Sequence, residues 1–413
     1  MKYKQTAVLA LNCGSSSLKY RLVLMPDNQE LISGEVERVG IKTQKKALIR
    51  HKLFGKTRSI KREIADHGQA FDHVVKLIKQ DALINKKIRI DMLAHRYVHP
   101  GNLISDTAKI TPRLINKLSK TLEFAPIHNP VIFRMITQCI GNYPRIPQYV
   151  VFDTSFHKTI PASLATYGLP RDLTRKYHLK KMGFHGISHK YVMHKACEFL
   201  KVKENTRKII SCHLGTGGAS VCAIDKGKSI NNSMGFTPLE GLIMNTRCGD
   251  VDLGLVFYVM FKENYSAQII DKTLNKKSGL FGLFGSSSDL RDIIEKVAKE
   301  PRAKVAFNMY IKRIKKYIGF YSLLLKKADV LIFTDSIGVD SLLVREKVVQ
   351  GFEFFGMRMD KDKNDSYSCG IKDISGKNSQ TKILVIPTNE ELMIAREAYK
   401  EFSHDIGSRR KGK

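Results

Sequence analysis

Long apolar runs are missing from this 413-residue chain. A membrane-crossing helix needs roughly 20 apolar residues in succession. The longest stretches, LGLVFYVMF at 253–261 and IGFYSLLL at 318–325, are about half that length. The opening MKYKQTAVLALN puts charge before an apolar run, but AVLAL is short and no small-residue cleavage site follows. It reads as a buried strand of a cytoplasmic protein. The seven cysteines are odd in number, scattered and free of any CxxC pair, which argues against both a disulfide framework and a zinc site. Acid is scarce: 39 Asp+Glu face 70 Lys+Arg, for a net charge of +31. Between Ile41 and Arg62 lie nine basic residues and no acid, and the chain closes on Gly-Ser-Arg-Arg-Lys-Gly-Lys. Such a field attracts polyanions, or simply solvates the surface. Phe54 is the only aromatic in the basic run, so a base-stacking platform for nucleic acid is not expected.

What is present fits a soluble globular protein, with 43% apolar residues and a length that suggests two or three domains. Strand and helix patterns alternate, which favours an α/β architecture. AVLALN (7–12) and LKYRLVLM (18–25) read as strands across a Gly-Ser turn, and QAFDHVVKLIKQ (69–80) as a helix. DMLAHRYVH (91–99) reads as a buried strand, PRLINKLSKTLEFA (112–125) as amphipathic, and QYVVFDTSF (148–156) as a strand ending at Asp153. KIISCHL, Gly-Thr-Gly-Gly and ASVCAID from Lys208 onward repeat the strand, Gly-rich turn and strand of the first hairpin. That echo points to a duplicated two-domain fold around a central cleft. The boundary is expected soon after Asp153, giving domains 1–154 and 155–385, with 386–413 returning to the first domain.

Gly-rich turns suit phosphate because their backbone N–H groups converge on an anion unobstructed. The loop Asn12–Lys19 adds three Ser hydroxyls and a Lys. It is not a Walker A loop, since GxxxxGK[ST] is absent and a strand follows it; taken alone it is equally a plain hairpin. Arg96 and Arg247 suit a bidentate clamp on carboxylate or phosphoryl oxygens, or else an ion pair at a strand end. Asp153 and Glu390 follow apolar strands, where carboxylates hold a metal or a proton, or serve a turn and an N-cap. His128, His185 and His189 sit in short loops without zinc spacing.

Ten segments in order carry more than any single residue. They are NCGSSSLK (12–19), HRYVH (95–99), APIHNP (125–130), VFDTSFHKTIP (151–161), GFHGISHKYV (183–192), CHLG (212–215), SMGFTPLEGL (233–242), TRCGD (246–250), SSDLRD (287–292) and IPTNEELMIA (386–395). The series resembles the acetate kinase family over nearly the whole chain. The resemblance implies two ribonuclease H-like domains of the sugar kinase, actin and Hsp70 type, and reversible transfer of the ATP γ-phosphoryl to acetate. It implies Mg²⁺ held by Asn12 and Glu390, and Ser15, Ser17 and Lys19 facing the phosphates. Arg96 and Arg247 would bind the acid and the phosphoryl in flight, with hydrogen bonds from His128 and His185, and Asp153 would orient Arg96. Val98, Ile127, Phe184 and Pro238 match a small methyl pocket. His213, Gly215, Thr216, Gly217, Asp289, Arg291, Ile337 and Gly338 match the nucleotide side. A homodimer is the implied assembly.

The chain departs from the family's pattern on the nucleotide side. Thr216-Gly217-Gly218 replaces a shorter Asn-Gly, and Asp335-Ser336-Ile337-Gly338-Val339-Asp340 stands for Gly-Gly-Ile-Gly-Glu-Asn. His99-Pro100-Gly101-Asn102 and Met244-Asn245-Thr246-Arg247 depart similarly. Asp335 brings a Cβ and a negative charge to a place where backbone should approach ATP. The leading expectation is an acetate kinase with an altered nucleotide site. The alternatives are a propionate or butyrate kinase, and a non-catalytic member binding an acid, an acyl phosphate or nucleic acid.

Overall fold

The structure, a computed structural model, describes residues 5–41, 46–85, 88–126 and 128–411. It divides into two compact units, Met1–Ser155 with Asn389–Lys413, and Phe156–Thr388.

The first unit is built on eight strands: β1 (Thr6–Cys13), β2 (Ser17–Met25), β3 (Gln29–Glu37), β4 (Ala47–Leu53), β5 (Lys56–Arg62), β6 (Met92–Tyr97), β7 (Ala108–Lys109) and β8 (Gln148–Phe152). Their order in the sheet is β5-β4-β3-β2-β1-β6-β8-β7. β1 to β5 pair in succession as an antiparallel meander, whereas β1, β6 and β8 run parallel. Parallel neighbours need long crossovers, and helices His67–Ile84 and Asn129–Asn142 supply them. Asp66 caps the first of these by accepting from the Gln69 N–H at 2.9 Å. Every residue of β1 is buried, as its continuous apolar sequence requires of a strand covered on both faces. The C-terminal helix Glu390–Lys411 packs on β1 and β2. The amphipathic segment at 112–125 is a helix only over Pro112–Ser119, followed by a 3₁₀ turn at Leu122–Phe124. The Thr121 hydroxyl takes the Leu118 carbonyl at 2.8 Å, and Asn129 Nδ2 takes the Thr121 carbonyl at 2.7 Å, ending the helical ladder there.

The second unit carries β9 (Lys208–Leu214), β10 (Ala219–Asp225), β11 (Lys228–Asn232), β12 (Val330–Thr334), β13 (Lys372–Asp373) and β14 (Lys382–Val385), in the order β11-β10-β9-β12-β14-β13. β11, β10 and β9 are antiparallel, β9, β12 and β14 run parallel, and the short β13 is an antiparallel edge. Strand for strand this repeats β3-β2-β1-β6-β8-β7 of the first unit. The likeness between the 7–25 and 208–225 hairpins therefore marks the corresponding first hairpin of two α/β units with the same sheet plan. Helices Gly186–Leu200 and Pro301–Leu324 pack on the second sheet. Among the described residues, no helix is long and apolar enough to cross a membrane.

Candidate active site

In the first unit, Asn12, Arg96 and Asp153 stand at the carboxyl ends of the adjacent parallel strands β1, β6 and β8. In an open α/β sheet, ligands gather at such ends. Asp153 lies one residue beyond β8, with its N–H on the Tyr97 carbonyl at 3.0 Å. Arg96 Nη2 donates to Asp153 Oδ2 at 2.7 Å, and Nη1 donates to Asn12 Oδ1 at 3.0 Å. Asn12 Nδ2 donates in turn to Glu390 Oε2 at 2.8 Å and Glu391 Oε1 at 2.9 Å, in the first turn of the C-terminal helix. Burial alone disfavours the Arg96 charge. Asp153, then Glu390 and Glu391, outweigh it and hold the guanidinium above its ordinary range. Asn12, Arg96, Asp153 and Glu390, separated by up to 378 positions in sequence, thus form one polar cluster.

The hairpin turn beside this cluster carries Ser15, Ser17 and Lys19. Gly14 N–H bonds the Ser17 carbonyl at 2.8 Å, closing the turn. Lys19 pairs directly with Asn12 across the β1–β2 ladder, so both side chains leave the same face. Val98 is buried just beyond β6. His128 precedes the helix Asn129–Asn142 at its N-cap position, with its N–H on the Ala125 carbonyl at 2.9 Å. Ile127 lies outside the described residues.

In the second unit, helix and strand periods bring polar residues face to face. Ser211, His213 and Ser220 share one face of β9 and β10, because His213 and Ser220 are directly paired and strand side chains repeat every second residue. Ser188 and His189 lie in the first turn of the helix that packs there, and His185 precedes it at the N-cap position with a φ of +56°. His185 Nδ1 meets Ser220 Oγ at 2.9 Å, His189 Nε2 meets the same oxygen at 2.8 Å, and His189 Nδ1 meets Ser211 Oγ at 2.9 Å. His213 Nδ1 meets Ser188 Oγ at 2.9 Å. Burial holds His189 well below the ordinary imidazole value, with His157 and His213 adding to the effect.

Arg247 and His185 converge on Gly218. A Cβ placed there would lie 3.3 Å from His185 Nε2 and 3.8 Å from Arg247 Nη1. Arg247 Nη1 donates to the Pro238 carbonyl at 3.1 Å. Among the described residues no carboxylate pairs with Arg247, and burial shifts its equilibrium toward the neutral form. A guanidinium nevertheless remains charged near neutral pH. A half-buried cation without a counter-ion is a ready anion site. Phe184 is buried, and its carbonyl accepts from His157 Nε2 at 2.9 Å.

Gly215, Thr216 and Gly217 form the β9–β10 turn, and Asp335, Ile337 and Gly338 open the helix Asp335–Asp340 after β12. The two loops touch: Thr216 N–H donates to Ser336 Oγ at 3.3 Å. Asp335 has a φ of +62°, the left-handed conformation that glycine adopts without penalty. Its carboxylate lies against Gly215, where any Cβ would come within 2.1 Å of Asp335 Oδ2, and reaches His213 Nε2 at 3.1 Å. Arg345, fully buried, donates from Nη1 to the carbonyls of Gly338 at 3.0 Å and Val339, holding the end of this short helix. Asp289 caps the helix Leu290–Lys296 and binds the exposed Arg291 guanidinium, which depresses the Asp289 carboxyl. Asp340 lies within electrostatic reach of Arg291.

Glu391, Ser211, Ser220 and Arg345 were not singled out from the sequence. Glu391 carried a signal, as a second acid in the first turn of the last helix. The serines carried only their alternation with His213 along β9 and β10, and Arg345 carried none.

The comparisons accord with this arrangement. Residues 7–396 match the model of the acetokinase family. The chain is 44% identical over 395 residues to an acetate kinase of Caldicellulosiruptor saccharolyticus, covering 94% of this chain and 98% of the relative. To an acetate kinase of Halothermothrix orenii it is 42% identical over 395 residues, with the same coverage. Among solved structures, the Porphyromonas gingivalis acetate kinase is similar with a TM-score of 0.85 at 38% identity, covering 96% of this chain and 99% of that one. A propionate kinase from Francisella tularensis gives 0.86 at 34% identity, covering 95% and 98%. With its family pattern matched nearly end to end and its fold shared, this chain belongs to the acetokinase family.

Proposed function

We propose that the protein is an acetate kinase, transferring the γ-phosphoryl of ATP to acetate and yielding acetyl phosphate and ADP, reversibly. Membership of a family whose curated relatives are acetate kinases supports this. The observation that carries it in the structure is Arg247, a half-buried guanidinium without a carboxylate partner among the described residues, converging with His185 on Gly218.

Acetate needs no general base at neutral pH, because its carboxylate is already a nucleophile. One of its oxygens forms the new P–O bond while the bond from the γ-phosphorus to the bridging oxygen breaks and ADP leaves with the electron pair. The difficulty lies in aligning two anions, which is positional and electrostatic work. Arg247 neutralises charge on the phosphoryl in flight, and Arg96, held in orientation by Asp153, binds the acid. His185 and His128 add hydrogen bonds. Ser15, Ser17, Lys19 and the 213–217 and 335–340 loops take the phosphates, and Asp289 and Arg291 belong to the nucleotide side. Val98, Ile127, Phe184 and Pro238 receive the methyl group.

Asn12 and Glu390 fit Mg²⁺. An amide oxygen and a carboxylate are hard donors, and Mg²⁺ takes one or two protein oxygens and completes its shell with phosphate and water; to join Glu390 in this, the Asn12 amide would turn its oxygen from Arg96 Nη1 to the place its nitrogen holds beside Glu390. Among the described residues no group of three or more His, Cys, Asp or Glu could hold a metal. When bound, Mg²⁺ would neutralise phosphate charge. The protein is further proposed to be cytoplasmic and a homodimer. The helix Leu253–Lys262 exposes Leu253, Phe257, Tyr258 and Phe261, an apolar face that a second copy would cover.

Purified protein with Mg²⁺, acetate and ATP should form acetyl phosphate, trapped as the hydroxamate. No product with ATP, GTP or pyrophosphate would sink the reading and leave a binding protein. A higher specificity constant for propionate than for acetate would reassign the substrate.

A further inference from the structure

His185 is proposed above to add a hydrogen bond to the reacting groups, and a neutral imidazole can donate from only one nitrogen. Which nitrogen carries the proton follows from counting hydrogens along the chain Ser211, His189, Ser220, His185. All three residues behind His185 are fully buried, so each polar hydrogen needs an acceptor within the protein. Ser211 Oγ has one partner among the described residues, His189 Nδ1 at 2.9 Å. If the hydroxyl accepted there, its own hydrogen would be left buried and unbonded. It therefore donates, and His189 Nδ1 accepts.

His189 is neutral through burial, and its single proton is thereby placed on Nε2, which donates to Ser220 Oγ at 2.8 Å. Ser220 has that donor and one other partner, His185 Nδ1 at 2.9 Å. Its hydroxyl hydrogen must then point to His185, whose Nδ1 accepts. The His185 proton is left on Nε2, the atom that faces Gly218 alongside Arg247. Reversing the sequence would orphan the Ser211 hydrogen at the buried end.

We propose that Ser211, His189 and Ser220 are positioning residues that lock neutral His185 in the Nε2–H tautomer, so that it presents a donor toward the phosphoryl oxygens. The functional half of this rests on the acetate kinase reading; the tautomer does not. Wrong-tautomer imidazoles cannot complete the hydrogen bond their site requires.

The test uses full-length protein labelled with ¹⁵N-histidine, in which long-range ¹H–¹⁵N correlations separate the two tautomers. His185 is assigned by the signal lost in His185→Asn. The expected spectrum has His185 and His189 both protonated on Nε2 and bare on Nδ1. Ser220→Ala should give His185 a mixture of tautomers and lower kcat about tenfold, with acetate KM almost unchanged. Ser220→Thr, which keeps the hydroxyl, should restore both. His185 protonated on Nδ1 in the unmodified protein overturns the proposal. So does a folded Ser220→Ala variant with unaltered tautomer and kcat. Should that variant not fold, the spectrum of the unmodified protein decides alone. Protein that makes no acetyl phosphate yet shows the Nε2–H tautomer supports the relay and refutes only the acetate kinase reading.

Discussion

Asp335 Oδ2 lies 3.1 Å from His213 Nε2, and the residue that places it there has a left-handed backbone, with φ at +62°. The pair joins the residue after β12 to the last turn of β9, since Thr334 and His213 are register partners. A side chain in this conformation costs about 1 kcal/mol relative to glycine, and the contact with His213 offsets part of it.

Asp335→Gly should therefore leave stability within about 1 kcal/mol of the original. It should also lower the KM for ATP about three- to tenfold, because it removes a negative charge from the proposed phosphate side. Steady-state kinetics at fixed acetate, with ATP varied, provide the check. An unchanged or raised KM would show that the carboxylate does not oppose nucleotide binding.

Arg247→Met separates function from folding. The guanidinium is half-buried without a carboxylate, so an apolar replacement should keep or raise the melting temperature. Loss of the proposed charge stabilisation should reduce kcat by about 10²- to 10³-fold. Thermal melting paired with the hydroxamate assay reads both effects. A variant that melts early would mean that the residue is structural.

Asp153→Ala should destabilise the first unit by about 2 kcal/mol, since it removes the 2.7 Å charge-assisted bond between the buried Asp153 and the half-buried Arg96. Asp153→Asn, which keeps the shape and an oxygen acceptor, should cost less stability. Denaturant titrations of both variants compare the two, and equal stability of all three proteins would discount the bond.

His95 predicts an acid limb in stability. Burial is the leading cause and, against the bond to Gln148 at 3.0 Å, lowers its pKa from 6.5 to about 4. The folded protein thus binds fewer protons than the unfolded chain between these values. Its contribution is complete above pH 6.5 and is lost as pH falls toward 4, on the order of 3 kcal/mol in all. Melting temperature followed from pH 7 to 4 should fall less steeply in His95→Asn than in the unmodified protein. Parallel curves would refute this origin.

Much of the first unit could be read locally. Val8 to Leu11 are all buried because β1 is flanked by strands and covered on both faces, and an unbroken apolar run records that directly. The end of the helix at Ser119 could not be read, because it depends on Tyr97, Thr121 and Asn129 converging on the Leu118 and Thr121 carbonyls. Arg96 and Asp153 were legible as single charges after apolar strands. That Asn12 joins Arg96 to both Glu390 and Glu391 was not.

The sequence by itself determined the α/β alternation, the family pattern and the residue types of the site, because strand and helix periods and short motifs are local properties. It also exposed Asp335 as the residue out of place. Only the tertiary structure decided that this carboxylate turns to His213, that Arg247 stands half-buried without a carboxylate, and that two serines and a histidine stand behind His185. Such partnerships join residues tens to hundreds of positions apart, brought together by sheet register and helix packing. No local pattern encodes which hydroxyl a buried imidazole will meet.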